Sequence, residues 1–130
     1  MSSAVLDASA LLAMLADEPG AQEAAEAVAA GAAMSAVNLS EVVAKLTEHE
    51  LSEEEAREVL APLSLEIVAF DQEHAWRAGA LRLATRGHGL SLGDRACLSL
   101  GVTLGLPVLT TDRAWKKLPL EVEVRVLRGK

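Results

Sequence analysis

Short apolar runs that end at a polar residue and give way to a helix-like segment recur along this 130-residue chain, and that alternation restricts its fold most. Ala4–Leu6 ends at Asp7, Ala33–Met34 at Ser35, "LEIVAF" at Asp71 and "GLPVLTT" at Asp112, with "VEVRVL" as a last strand-like run. Strands separated by helices are joined by crossovers, and crossovers make neighbouring strands parallel. The expected fold is therefore an α/β sandwich with a mainly parallel sheet.

The helices are legible from their ends. "DASALLAMLAD" opens on Asp7, an N-cap type, and Pro19-Gly20 marks a turn before "AQEAAEAVAA", which Gly31 closes. Ser35 starts "SAVNLSEVVAKLTEHEL", whose Leu39, Val42, Val43 and Leu46 fall on one helical face. Ser52 and Glu55 have the spacing of a capping box, and Pro62 stops that helix. Asp71 caps a helix to about Arg86, and Ser91 starts another to about Leu104. A short helical turn spans Asp112–Lys117. No repeat, linker or low-complexity tract divides the chain, so one domain over residues 1–130 is expected.

Composition narrows the class. Aromatics are 2% and hydrophobic residues 51%, so the core must be aliphatic. No apolar run approaches the roughly 20 residues of a membrane span. "MSSAVLDAS" lacks the basic region and apolar stretch of a secretory leader. With a single cysteine, Cys97, no intramolecular disulfide can form, and a cytoplasmic protein with no membrane partner is expected. The net charge of −7 is unevenly spread: residues 1–65 carry 12 acidic against 2 basic side chains (−10), residues 66–130 carry 7 against 10 (+3). A basic partner would favour the first half, and an anionic ligand is tolerated near the second.

Two acids stand where ligands bind in such folds, and two more could join them. Ligand sites of open parallel sheets lie beyond the carboxyl ends of the strands. Asp7 directly follows the first strand, and Asp112 follows Val108–Leu109 by two threonines. Glu41 lies on the flank of its helix away from the apolar face, and Asp94 interrupts a run of Leu, Gly and Ala. Each also has a plain structural reading: Asp7 and Asp112 as caps, Asp94 in a capping box with Ser91, Glu41 paired with Lys45. Gathered at one rim, however, four carboxylates would repel one another unless some are protonated or a cation is present. Oxygen-rich sites suit hard divalent ions such as Mg²⁺, which can polarise a phosphodiester and activate water. Ser9, Asn38 and Thr110 are placed to orient those carboxylates. Arg95 and Arg113 adjoin proposed ligands and are the best candidates to steer a phosphate.

"AVLDASALL", "AVNLSEVVAKL", "LSLGDRACLSLGVTLGLPVLTTDRAW" and "VEVRVL" together resemble the PIN-domain ribonucleases, and among them the VapC toxins of bacterial and archaeal toxin–antitoxin pairs. The resemblance runs over essentially the whole chain. It implies a three-layer α/β/α sandwich and a metal-dependent endoribonuclease. By motif, Asp7, Glu41, Asp94 and Asp112 match the family's four acids, which bind Mg²⁺ or Mn²⁺ and support RNA hydrolysis. It further implies a homodimer and a cognate VapB-like antitoxin. No acid of the pattern is missing.

Other residues carry less. His49, His74 and His88 lack zinc-site spacing. Cys97 has the surroundings of a small core side chain, and Trp76 and Trp115 those of packing or a dimer contact. A haloacid-dehalogenase-type phosphatase would need a second Asp two residues after the first, where this chain has Asp7-Ala8-Ser9. The alternative of a different class is a non-catalytic acidic module that binds a basic partner segment.

Overall fold

The computed structural model describes residues 1–127. Five parallel strands form one sheet: β1 (Ala4–Leu6), β2 (Ala32–Ser35), β3 (Leu65–Val68), β4 (Val108–Thr110) and β5 (Val124–Val126), in the order β3-β2-β1-β4-β5. Helices α1 (Ala8–Leu15), α2 (Ala21–Ala30), α3 (Ala36–Glu48), α4 (Glu53–Leu60), α5 (Gln72–Ala84) and α6 (Leu92–Leu104) provide the crossovers, with a 3₁₀ turn at Arg113–Lys117.

The central strands are short and buried on both faces, so they read as apolar runs without alternation. Their side chains nevertheless sort with period two. Leu6, Ala32, Met34 and Leu109 join a core with Leu11 of α1, Val28 of α2 and Val42 of α3. Val5, Ala33 and Val108 face the other way, onto Cys97, Leu98 and Leu100 of α6 and onto Trp115. Two aliphatic cores, one on each face of the sheet, make the α/β/α sandwich.

The caps form as the residue types dictate. Asp7, Ser35, Ser52, Asp71 and Ser91 each accept a backbone N–H at the start of the following helix. Both capping boxes are closed, Ser52 with Glu55 and Ser91 with Asp94.

Several expectations shift. The β2 strand is longer than Ala33–Met34, because its pairing with β3 runs from Ala32 to Ser35. The last strand is shorter than "VEVRVL", because it pairs along only three residues of β4. Helix α5 ends at Ala84 rather than Arg86: Thr85 turns its hydroxyl back to the Leu81 carbonyl at 2.8 Å, and Gly87 follows at φ 91°. The apolar face of α3 is only partly covered, with Val42 buried and Val43 half-buried. Trp115 packs fully into the core, whereas Trp76 is 70% exposed and so makes no core contribution. Among the described residues no helix is long and apolar enough to cross a membrane.

Candidate active site

The strand order sets the location. Along β3-β2-β1-β4-β5 the direction of winding reverses between β1 and β4, and such a switch point opens a crevice at the carboxyl ends of the strands. The register pairs Leu6 with Leu109, and the Asp7 N–H donates to the Leu109 carbonyl at 3.1 Å. Asp7 and the Thr110–Asp112 segment therefore leave the sheet side by side.

Hydroxyls knit this half of the site together. Thr110 Oγ1 donates to Asp7 Oδ2 at 2.6 Å and accepts the Asp112 N–H at 3.1 Å, so one buried hydroxyl links two acids 105 positions apart in sequence. Ser9 Oγ donates to Asp7 Oδ1 at 2.7 Å and accepts the Thr111 N–H at 3.0 Å. Asp7 Oδ1 also accepts the Ala10 N–H at 2.9 Å, which caps α1. Asp7 is only 6% exposed. Burial pushes its carboxyl above the ordinary carboxylate range, the hydrogen bonds from Thr110, Ala10 and Ser9 pull against that, and the Asp94 charge adds to the rise.

The other half is built where α3 meets α6. Asn38, itself buried, donates from Nδ2 to Glu41 Oε1 at 2.9 Å and to the Gly93 carbonyl at 3.0 Å. This bond, not a pair with Lys45, holds Glu41; the Lys45 ammonium lies 3.6 Å from Glu48 instead. Asp94 Oδ2 accepts the Ser91 N–H at 3.0 Å, which fixes the carboxylate to the first turn of α6. Cys97 lies one turn further along α6, in the apolar core. Its buried thiol is pushed well up, first by burial and then by the negative charges of Asp7, Asp94 and Glu41.

Glu41, Asp94 and Asp112 are each tethered through one oxygen, and Asp7 through both. Glu41 Oε1 is held by Asn38, Asp94 Oδ2 by Ser91, Asp112 Oδ1 by the Ala114 N–H at 2.9 Å, and Asp7 by the three donors above. Among the described residues Glu41 Oε2, Asp94 Oδ1 and Asp112 Oδ2 accept no hydrogen bond. Oriented carboxylates with one unclaimed oxygen suit a hard divalent cation. The same side chains do not form a closed cage, since among the described residues no three His, Cys, Asp or Glu are grouped to hold a metal. Mg²⁺ takes only one or two carboxylates directly and fills its remaining positions with water and phosphate oxygens, so the donor set fits it. Asn38 Oδ1, buried and without a partner among the described residues, adds an acceptor on the α3 side.

The cations are less well placed. Arg95 donates to the Ala78 carbonyl of α5 at 3.0 Å, and its buried Nε has no partner among the described residues, so its guanidinium is committed to the α5–α6 contact. Arg113 is exposed beside Asp112 and forms no side-chain bond among the described residues. The acids line an open rim, with Glu41 and Asp112 exposed. A groove of about 850 Å³ between α3, α4 and β3, lined by Leu39, Val43, Leu60 and Ile67, includes none of them.

Sequence reasoning missed Gly93, whose surface receives the Glu41 carboxylate. The available signal was a glycine in the first turn of a helix directly before an acid. Cys97 is a core residue, as its surroundings in the sequence suggest.

The fold is thus a three-layer sandwich with an all-parallel sheet, from which Asp7 and Asp112 emerge side by side at the switch point. The family model of the PIN domain matches residues 4–120, and the chain belongs to the PIN-domain family. None of the curated proteins compared matches it. Among solved structures it is similar to the toxin–antitoxin complex from Klebsiella pneumoniae, with 24% identity, a TM-score of 0.70, and coverage of 90% of this chain and 93% of that one. It is also similar to VapBC2 from Rickettsia felis bound to a promoter DNA fragment (18%, TM-score 0.73, 95% and 98%). DNA-bound VapBC from Salmonella typhimurium is a third (21%, TM-score 0.71, 97% and 98%). At these identities the likeness speaks for the fold.

Proposed function

We propose that this chain is a metal-dependent endoribonuclease, the VapC-like toxin of a type II toxin–antitoxin pair, working as a single domain over residues 1–130. The observation that carries the reading is the set of oriented carboxylates: Asp7 held through both oxygens, and Glu41, Asp94 and Asp112 each held through one and open at the other. Membership of the PIN-domain family and the likeness to structures of toxin–antitoxin complexes support the toxin assignment.

In this reading Asp7, Glu41, Asp94 and Asp112 hold Mg²⁺ or Mn²⁺ and are the catalytic acids. A bound divalent cation would supply Lewis-acid stabilisation of the charge that develops as a phosphodiester is hydrolysed. The chain's own work is orientation. Thr110 and Ser9 fix both oxygens of Asp7, Thr110 sets the backbone of Asp112, and Asn38 sets Glu41 against α6. Arg113 is free to meet a phosphate, whereas Arg95 would have to leave Ala78 to do so. An open rim suits a polymer that passes over it, as RNA would.

The partners are RNA, a second copy of the chain and a VapB-like antitoxin, and the compartment is the cytoplasm. The free, buried Cys97 thiol is consistent with a reducing environment. The test is a Mn²⁺ titration followed by amide NMR, together with cleavage of a mixed RNA pool. Broadening centred on the four acids, and RNA cleavage lost in Asp94→Asn, is expected. Broadening spread over the acidic residues 48–58 with the four acids untouched would leave them as helix caps and end the nuclease reading. If Asp94→Asn kept toxicity and lost only partner binding, the acids would serve a basic partner segment instead.

A further inference from the structure

Gly93 occupies the first turn of α6, between Leu92 and Asp94, and is buried. Its φ is not in the left-handed region, so the backbone there accepts any residue. Glycine is among the poorest helix formers, and local propensity would favour alanine. A local rule broken without a local reason points to a requirement from elsewhere in the fold.

That requirement is the Glu41 carboxylate. A β-carbon on residue 93 would stand 2.5 Å from Glu41 Cδ, 2.6 Å from Oε1 and nearer still to Oε2. The carboxylate occupies the space that any other residue's side chain would take. Asn38 fixes the arrangement, since its Nδ2 donates to Glu41 Oε1 at 2.9 Å and to the Gly93 carbonyl at 3.0 Å. We propose that Gly93 is a positioning residue: its missing side chain admits the Glu41 carboxylate to the first turn of α6, alongside Asp94. The consequence for cation binding rests on the metal reading given above; the placement of Glu41 does not.

The nature of the obstructed neighbour separates this role from packing. The group that would have to move is the far end of an exposed, flexible side chain, which can swing into solvent at little loss of stability. Gly101, on the same helix, differs. A β-carbon there would run into Val108 Cγ2 and lie 3.1 Å from Val122 Cγ2 and 3.3 Å from the Leu106 carbonyl, all parts of a packed wall.

The experiment is a cycle of Gly93→Ala, Glu41→Ala and the double variant, read by melting temperature, by the Asn38 side-chain amide protons in NMR, and by Mn²⁺ affinity. Gly93→Ala should melt with the wild type. The Asn38 proton that faces Glu41 should lose its acceptor, shift and exchange faster, and Mn²⁺ affinity should fall about tenfold. In the Glu41→Ala background, Gly93→Ala should change neither the amide nor the affinity. Unmoved Asn38 resonances in Gly93→Ala overturn the proposal. So does an equal loss in both backgrounds, or a large drop in melting temperature, which would make the glycine a packing residue. If the wild type binds no Mn²⁺, the metal reading fails and the Asn38 amide by itself decides the role of Gly93.

Discussion

Thr110→Val tests the link between β4 and the buried acid. The substitution keeps the volume and removes a hydroxyl that donates to Asp7 Oδ2 at 2.6 Å and accepts the Asp112 N–H at 3.1 Å. The bond to a carboxylate contributes about 1.5–3 kcal/mol. For a chain of this length that corresponds to a melting temperature roughly 5–12 °C lower. The effect should depend on pH, with a definite sign. The folded Asp7 pKa is raised, chiefly by burial, so the folded state holds its proton to higher pH than the unfolded chain does. Stability therefore falls as pH rises from the ordinary aspartate value through the folded one, and then levels off. Losing the Thr110 donor raises the folded value further and deepens that fall. The variant's deficit should be larger at neutral pH than near pH 4, because the lost donor favours the ionised carboxylate. Thermal melts followed by circular dichroism in EDTA, at both pH values, measure it. A deficit below about 0.5 kcal/mol, or one of equal size at both pH values, would refute the reasoning, because the deficit should follow the ionised carboxylate.

Asp71 should show the opposite pH behaviour. The His74 N–H holds its carboxyl below the ordinary range, so its contribution is present above that range and lost as pH falls through the folded pKa; Asp71→Asn should flatten the acid limb of a stability–pH curve. Gly101→Ala should destabilise the protein by about 1–3 kcal/mol through overpacking against Val108, which urea unfolding will show by comparison with Gly93→Ala. Leu98→Ala, at a position with no exposure, should cost about 2–5 kcal/mol in the same assay and leave Mn²⁺ affinity unchanged once folded. Asn38→Ala should weaken Mn²⁺ binding by roughly tenfold or more, because it orients Glu41 without contacting substrate.

The sequence by itself determined what depends on neighbours along the chain. Helix starts are set by a side chain and the backbone N–H two or three residues ahead. Asp7, Ser52, Asp71 and Ser91 were therefore legible as caps, and the alternation of apolar runs with helices was legible as a parallel α/β sheet. The same locality left the acids ambiguous, since Asp7, Asp94 and Asp112 are genuine caps as well as rim carboxylates. A carboxylate has two oxygens: in Asp94 and Asp112 one caps while the other stays open, and in Asp7 the second accepts from Thr110.

Tertiary structure decided what depends on distant segments. The register of β1 on β4 brings Thr110 to Asp7, and the packing of α3 on α6 lays Glu41 over Gly93. It also buried Trp115, left Trp76 in solvent and turned Arg95 away to α5, three outcomes that residue type and local spacing leave open. Caps form within one turn of chain, whereas the bonds from Thr110 to Asp7 and from Asn38 to Glu41 and Gly93 need the sheet and two helices to be in place.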